Sequence, residues 1–186
     1  MAMDDSNTLS DNVFFEHVMP VRVSVITPPP GASQFVCMNE HNEKGLSQVL
    51  ALDSFAIELT EDDSDTSAEM SRIERKLDLL MEMVSILFAR QDNRPDKKKV
   101  TLYSSHIDWV QSEPLVEGCY IELKIWLRPD YPKALQLYVR LQKSLAIEEG
   151  YLLTGVYCGL NEMVITQLEK IIFRHHRRVV AQSRHE

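Results

Sequence analysis

Ser104, His106 and Asp108 carry the side-chain types of a nucleophile, a base and an orienting acid, spaced two residues apart. In a β-strand, residues two apart share a face but lie about 6.6 Å from each other, because each residue advances the strand by about 3.3 Å. A nucleophile and its base must come within hydrogen-bond distance, so this spacing does not assemble a catalytic triad. The pattern indicates a solvated strand face, and we predict that the protein is not an enzyme.

Arg90 and Arg94 form a second candidate pair, since guanidinium groups bind phosphates through two parallel hydrogen bonds. They also stand at the end of a predicted helix, where positive charge interacts favourably with the helix dipole. The pair is therefore either a phosphate clamp or a solvated helix end, and we favour the helix end.

Another basic cluster lies near the C-terminus. It comprises Arg174, His175, His176, Arg177, Arg178 and Arg184. Adjacent histidines on a helix point about 100° apart, so His175 and His176 cannot bind one metal ion together. The cluster is typical of a solvated helix end, and it could also contact an acidic segment of a neighbouring chain or of a partner protein.

The composition excludes several classes of protein. The chain has 186 residues, of which 44% are apolar and 26% charged, as in ordinary globular proteins. Its formal net charge of −8 argues against general affinity for nucleic acid, and no apolar stretch is long enough for membrane insertion. The three cysteines, Cys37, Cys119 and Cys158, are far apart and odd in number, which indicates free thiols and no metal site. We predict a soluble, cytoplasmic protein without a secretion signal.

Strand-like alternation of apolar and polar residues dominates the chain outside its middle third. Such runs occupy residues 13–26, 100–110, 119–127, 135–142 and 151–158, and a helical pattern follows at 161–181. Strands with one apolar face favour an antiparallel sheet. We predict an α+β fold with a mainly β core: a small antiparallel barrel with a C-terminal helix. A polar, flexible tail is predicted at 1–12. The barrel has two parts in the sequence: a first strand region at 13–30, and a main part at 98–182 that includes the C-terminal helix.

A helical insertion is predicted over residues 41–95, with one helix at 46–59 and a long coiled-coil helix at 67–92. Apolar residues of the long helix follow a heptad spacing and then spread beyond it. They are Met70, Ile73, Leu77, Leu80, Val84 and Leu87 in the heptad positions, with Met81 and Phe88 outside them. A helix that is apolar on several sides must be enclosed by several neighbours. We predict a homotetramer, with a dimer as the alternative oligomer and packing on its own barrel as the monomeric alternative.

Three segments of the barrel region resemble the PilZ domain family. The strand Val100 to Trp109, the turn Glu113 to Gly118 and the amphipathic strand Ile121 to Pro129 follow in the family's order and spacing. Residues 159–178 resemble the closing helix of the family. The resemblance implies a small β-barrel and bacterial signalling, such as control of motility, biofilm or virulence, through the ligand cyclic di-GMP.

The ligand motif of the family does not carry over. The family pattern Asp/Asn-x-Ser-x-x-Gly aligns with Thr101, Tyr103 and His106, so an imidazole stands where glycine would let the backbone approach the ligand. We therefore predict a non-catalytic oligomeric adaptor without a cofactor, which acts on an unidentified protein partner. The alternative is a cyclic di-GMP receptor that uses a rearranged arginine set, Arg22, Arg90 and Arg94.

Overall fold

The computed structural model describes residues 13–58, 70, 72–73, 76–77, 79–81, 83–84, 95–128 and 131–182. In these ranges the chain forms six strands and two helices with defined first and last residues. They are β1 (Phe15–Ile26), α1 (Ala32–Glu58), β2 (Lys97–Leu102), β3 (His106–Gln111), β4 (Tyr120–Ile125), β5 (Leu135–Ile147), β6 (Gly150–Cys158) and α2 (Glu162–Gln182). The described residues between 70 and 84 also have helical backbone, within the segment predicted as the long helix.

The six strands close into an antiparallel barrel in the order β1-β2-β3-β6-β5-β4. Strand β1 closes it, because its first half pairs with β2 and its second half pairs with β4. At the changeover, the amide of Trp126 donates to the carbonyl of Pro20 at 3.1 Å. The inward side chains make one apolar core, in which Leu102, Ile107 and Leu123 are fully buried. The predicted fold class, α+β with a mainly β core, is confirmed.

The strand predicted over 100–110 is wrong in one respect, because the structure divides it into β2 and β3. A turn separates the two strands, and the amide of Tyr103 donates to the carbonyl of His106 at 3.0 Å. The barrel therefore has six strands where the sequence predicted five. Ser104 lies in the turn, so it does not share a strand face with His106 and Asp108. The buried apolar residues change from even positions, Val100 and Leu102, to odd positions, Ile107 and Trp109. This shift and the adjacent polar residues, which favour turns, mark the break that the predicted single strand passes over.

Helix α1 begins at Ala32, well before the helix predicted at 46–59. Its first turns dock on the barrel through two buried asparagines. Asn42 donates to the carbonyl of Gln136 at 2.6 Å and accepts from the amide of Gln136 at 2.9 Å. Asn39 donates to the carbonyl of Gly159 at 2.8 Å and accepts from the amide of Asn161 at 3.1 Å. Because polar residues occupy these core-facing positions, apolar periodicity could not reveal this part of the helix.

Gly159 permits the close contact between α1 and the end of β6. Its φ is +69°, a conformation that side-chain-bearing residues rarely adopt, and a Cβ atom there would overlap the ring of Phe35. The glycine thus lets the aromatic side chain of α1 lie directly on the backbone that leads into α2.

Helix α2 packs beside α1 and against the barrel. Its buried residues, Val164, Leu168, Ile171 and Ile172, join the barrel core together with Leu46 and Val49 of α1. The two helices are linked by polar contacts, including Arg174, which donates to the carbonyl of Leu50 at 3.0 Å. The basic cluster predicted as a solvated helix end is therefore partly an internal contact. Among the described residues, no helix is long and apolar enough to span a membrane.

We predict that Asn42→Ala lowers the free energy of unfolding by about 2 kcal/mol, because it leaves both backbone groups of Gln136 without their partner. Urea denaturation at a fixed protein concentration measures the change. Glu40→Ala is the matched control, since Glu40 is exposed on the same helix, and we expect a change within about 0.5 kcal/mol. Equal losses in the two variants would contradict the docking role of Asn42.

Candidate functional site

The residues aligned with the ligand motif lie at one end of the barrel, around the turn between β2 and β3. The rings of Tyr103 and His106 stack with centroids 4.1 Å apart and planes 9° apart. Ser105 Oγ lies 2.9 Å from Nδ1 of His106. The two large side chains therefore hold each other in place across the turn, at the positions predicted to align with the serine and glycine of the ligand motif.

Thr101 is almost fully buried, on the outer side of the barrel wall. The strand register places it between Glu16 of β1 and Asp108 of β3. Its hydroxyl donates to Glu16 at 3.4 Å, and the other oxygen of this carboxylate lies 3.2 Å from Nζ of Lys99. The hydroxyl is thus directed to a neighbouring side chain, which leaves it poorly placed to contact a ligand.

Tyr157 fixes the turn from inside the barrel. Its hydroxyl donates to the backbone carbonyl of Tyr103 at 3.0 Å. Burial raises the pKa of the Tyr157 hydroxyl, and the nearby Asp108 carboxylate raises it further, so the group remains a proton donor. The sequence alone could not assign the roles of Tyr157 and Glu16. Alternation predicts which face of a strand a residue lies on, but it does not predict which residue it contacts.

Phe14 connects this turn to the C-terminal helix. Its ring centroid lies 6.1 Å from that of Tyr103 and 6.4 Å from that of His176. These distances are typical of aromatic contacts. Sequence segments that are about 160 residues apart therefore form one continuous surface, which the sequence alone could not show.

His175 packs inside this junction, with its ring centroid 4.2 Å from that of Phe15. Burial lowers the pKa of His175 below its usual value, and the charges of His17, Arg178 and His176 lower it further, against a hydrogen bond with the Glu16 backbone that raises it. The prediction that the two adjacent histidines diverge agrees with this geometry, because His175 contacts Phe15 whereas His176 contacts Phe14.

The structure does not bring the predicted arginine set to this site. Arg22 lies on the second half of β1 opposite Lys124, with its guanidinium carbon 5.9 Å from the centroid of the Trp126 ring. About 20 Å of strand separates it from Glu16, at about 3.3 Å per residue. Arg90 and Arg94 lie outside the described residues.

The residues predicted to mediate self-association lie largely on the outside of the single chain. Met70, Ile73, Leu77 and Leu80 are each 54–56% exposed, and Val84 is 39% exposed. Met81 differs, because it is half-buried and packs against the barrel core. Leu87 and Phe88 lie outside the described residues. Met81 therefore packs against its own domain, while the five described heptad residues remain exposed and form an apolar stripe.

The described part of the chain contains no cluster of metal ligands and no activated thiol. No group of three or more histidine, cysteine or acidic residues is arranged there to hold a metal ion. Cys37, Cys119 and Cys158 are free thiols, and burial raises the pKa of the Cys119 and Cys158 thiols. A raised thiol pKa keeps these two groups protonated and weakly nucleophilic.

We predict that His175 makes the protein less stable in acid. Its pKa is lowered in the folded state, so the folded state favours the neutral ring, and stability falls as the pH drops from about 7 through the ordinary histidine pKa of about 6.5. Thermal melting at pH 8 and pH 5.5 measures this loss. His175→Phe keeps a ring against Phe15 and should lose less stability between these pH values than the native chain, whereas an equal loss would contradict the assignment.

Comparison with known proteins identifies the family. The family model described as an atypical PilZ domain and cyclic di-GMP receptor matches residues 44–185. A solved structure from Xanthomonas campestris is similar to this chain, with 20% sequence identity and a TM-score of 0.66, over 90% of this chain and 89% of that chain. It is described as a pathogenic protein with a new tetrameric PilZ domain, self-assembled through an unusual helical bundle. No curated protein matches the chain. Because the family model covers most of the chain and the barrel has the same fold, the protein belongs to the atypical PilZ domain family of cyclic di-GMP receptors.

Proposed function

We propose that the protein is a non-catalytic PilZ adaptor that self-associates through its helical insertion and does not hold cyclic di-GMP in the usual place. The observation that carries this proposal is the stack of Tyr103 on His106, which fills the turn where the ligand motif of the family would lie. An adaptor of this kind acts through protein contacts.

The stack opposes ligand binding in two ways. A dinucleotide that approached the turn backbone would first have to displace two rings, whose mutual contact stabilises the turn by about 1 kcal/mol. It would then meet no small hydroxyl or carboxamide at these positions, because Thr101 donates to Glu16 and Tyr103 carries a bulky ring. The same residues that block the site also fail to supply its hydrogen bonds.

Self-association is supported by the apolar stripe on the insertion. Five large apolar side chains in heptad positions lie on the outside: Met70, Ile73, Leu77, Leu80 and Val84. A contiguous surface of this kind is costly in water and typically marks an interface. Leu77 and Val84 share a helix side with Met81, and they remain 54% and 39% exposed although Met81 contacts the barrel core, so packing on the same domain leaves them uncovered. Helices from other copies can cover them, which favours a tetrameric bundle over a dimer, and the Xanthomonas campestris neighbour is described as such a tetramer.

A receptor role through Arg22, Arg90 and Arg94 is the second candidate. It is favoured by the family description as a cyclic di-GMP receptor. The position of Arg22 opposes it, since this residue lies on the half of β1 that pairs with β4, away from Thr101.

Calorimetric titration with cyclic di-GMP distinguishes the two candidates. We expect no binding heat at micromolar ligand, because the turn is filled. Micromolar binding that is lost in Arg90→Ala or Arg94→Ala would establish the receptor and reject the adaptor.

Leu80→Asp tests the self-association. A carboxylate in the stripe must be desolvated when the helices pack, so we expect the assembly to dissociate while the barrel stays folded. Light scattering after gel filtration gives the mass, and circular dichroism checks the fold. Arg72→Glu is the control, since Arg72 is an exposed charged residue of the same helical segment that lies off the heptad seam, and its mass should not change. An unchanged mass in Leu80→Asp would reject the stripe as the interface.

A further inference from the structure

Aromatic and cationic side chains lie together on three elements of the fold. They run from the β2–β3 turn over the residue before β1 to the exposed side of α2. We call this group the aromatic–cationic stripe, and its members are Tyr103, His106, Phe14, His176, Phe173 and Arg177.

Ring contacts join four members of the stripe, and helix spacing places the other two beside them. Tyr103 stacks on His106 and lies 6.1 Å from Phe14, and Phe14 lies 6.4 Å from His176. On α2, the guanidinium carbon of Arg177 lies 5.9 Å from the ring centroid of Phe173. Phe173 and His176 are three residues apart on one helix, which places them on the same side.

The exposure of these rings is unusual for a structural cluster. Phe173 is 52% exposed and Phe14 is 39% exposed, although both are large apolar side chains. Aromatic residues and arginine are enriched at protein interfaces and carry much of their binding energy, because they bury large areas with few rotatable bonds. The stripe therefore has the composition of a protein-docking surface.

The charge around the stripe selects the kind of partner. The second half of α2, from Lys170 to Gln182, contains lysine and arginine side chains but no acidic residue. Arg177 and His176 of the stripe belong to this basic half of the helix. An acidic partner is attracted to it, which favours docking at the stripe.

We propose that the aromatic–cationic stripe docks an acidic segment of a partner protein, with an apolar side chain of that segment packed between Phe14 and Phe173. The proposal rests on the adaptor function and names the surface through which it acts. The stacked pair Tyr103 and His106, which fills the ligand turn, forms one end of the docking surface.

The test uses the full chain and a labelled synthetic peptide in which glutamates flank two phenylalanines. Fluorescence anisotropy should show binding that weakens with salt, and the peptide with glutamine in place of each glutamate should bind at least tenfold more weakly. Phe173→Ala and Arg177→Glu should each reduce the affinity at least fivefold. Lys143→Glu is the matched control, because Lys143 is an exposed cation on β5, and its affinity should be unchanged.

Three results would overturn the docking surface: no binding of the acidic peptide, equal loss of affinity in Lys143→Glu and Arg177→Glu, or equal affinity for a single-stranded oligonucleotide of the same charge. The last would show a general polyanion site. Circular dichroism of each variant shows whether it folds, and Phe173→Leu, which keeps an apolar side chain, should retain more affinity than Phe173→Ala. The mass of the assembly and the binding of cyclic di-GMP are measured on the same samples. A chain that assembles and does not bind cyclic di-GMP, but also does not bind the peptide, would contradict the docking surface and leave the adaptor function in place.

Discussion

Strand β1 hydrogen-bonds to β2 with its first half and to β4 with its second half, and this shared pairing is the constraint on which the molecule depends. A strand that pairs on both sides removes the open edges of the sheet, which would otherwise be available to other chains. It also requires the chain to return beside β1 after α1 and the insertion. The chain from α1 through the insertion therefore connects two neighbouring strands of the barrel, β1 and β2.

The same constraint creates the candidate site. Because Phe15 of β1 pairs with Leu102, the start of β1 lies beside the turn that follows β2. Helix α2 then covers this end of the barrel, where His175 contacts Phe15. Rings from β1, the turn and α2 converge there because each belongs to an element that the barrel core already fixes in place. The cluster is thus a consequence of closure, and its outward rings are available for contacts with other molecules.

The helical segment of the insertion both contacts its own domain and exposes apolar side chains. Met81 packs against the barrel core, while Leu77 and Leu80 are more than half exposed. The polar docking of α1 complements this arrangement. Asn39 and Asn42 bind backbone groups of the barrel in fixed geometry, so α1 is held in one orientation where purely apolar contacts would permit several.

The sequence by itself determined the fold class, most of the strands and the apolar stripe, because alternation and heptad spacing are local patterns that depend on which side of an element faces water. It also predicted that Thr101, Tyr103 and His106 stand in place of the residues of the ligand motif. The tertiary structure decided the rest. It divided the predicted strand over 100–110 into β2 and β3, since the pairing of Leu102 with Ile107 across the turn is a contact that alternation along one strand does not show. It revealed the first turns of α1, since Asn39 and Asn42 are buried by hydrogen bonds that only the folded barrel provides. It also brought Phe14, Tyr103 and His176 together, because contacts between distant segments depend on strand pairing and helix docking, and no local pattern records them.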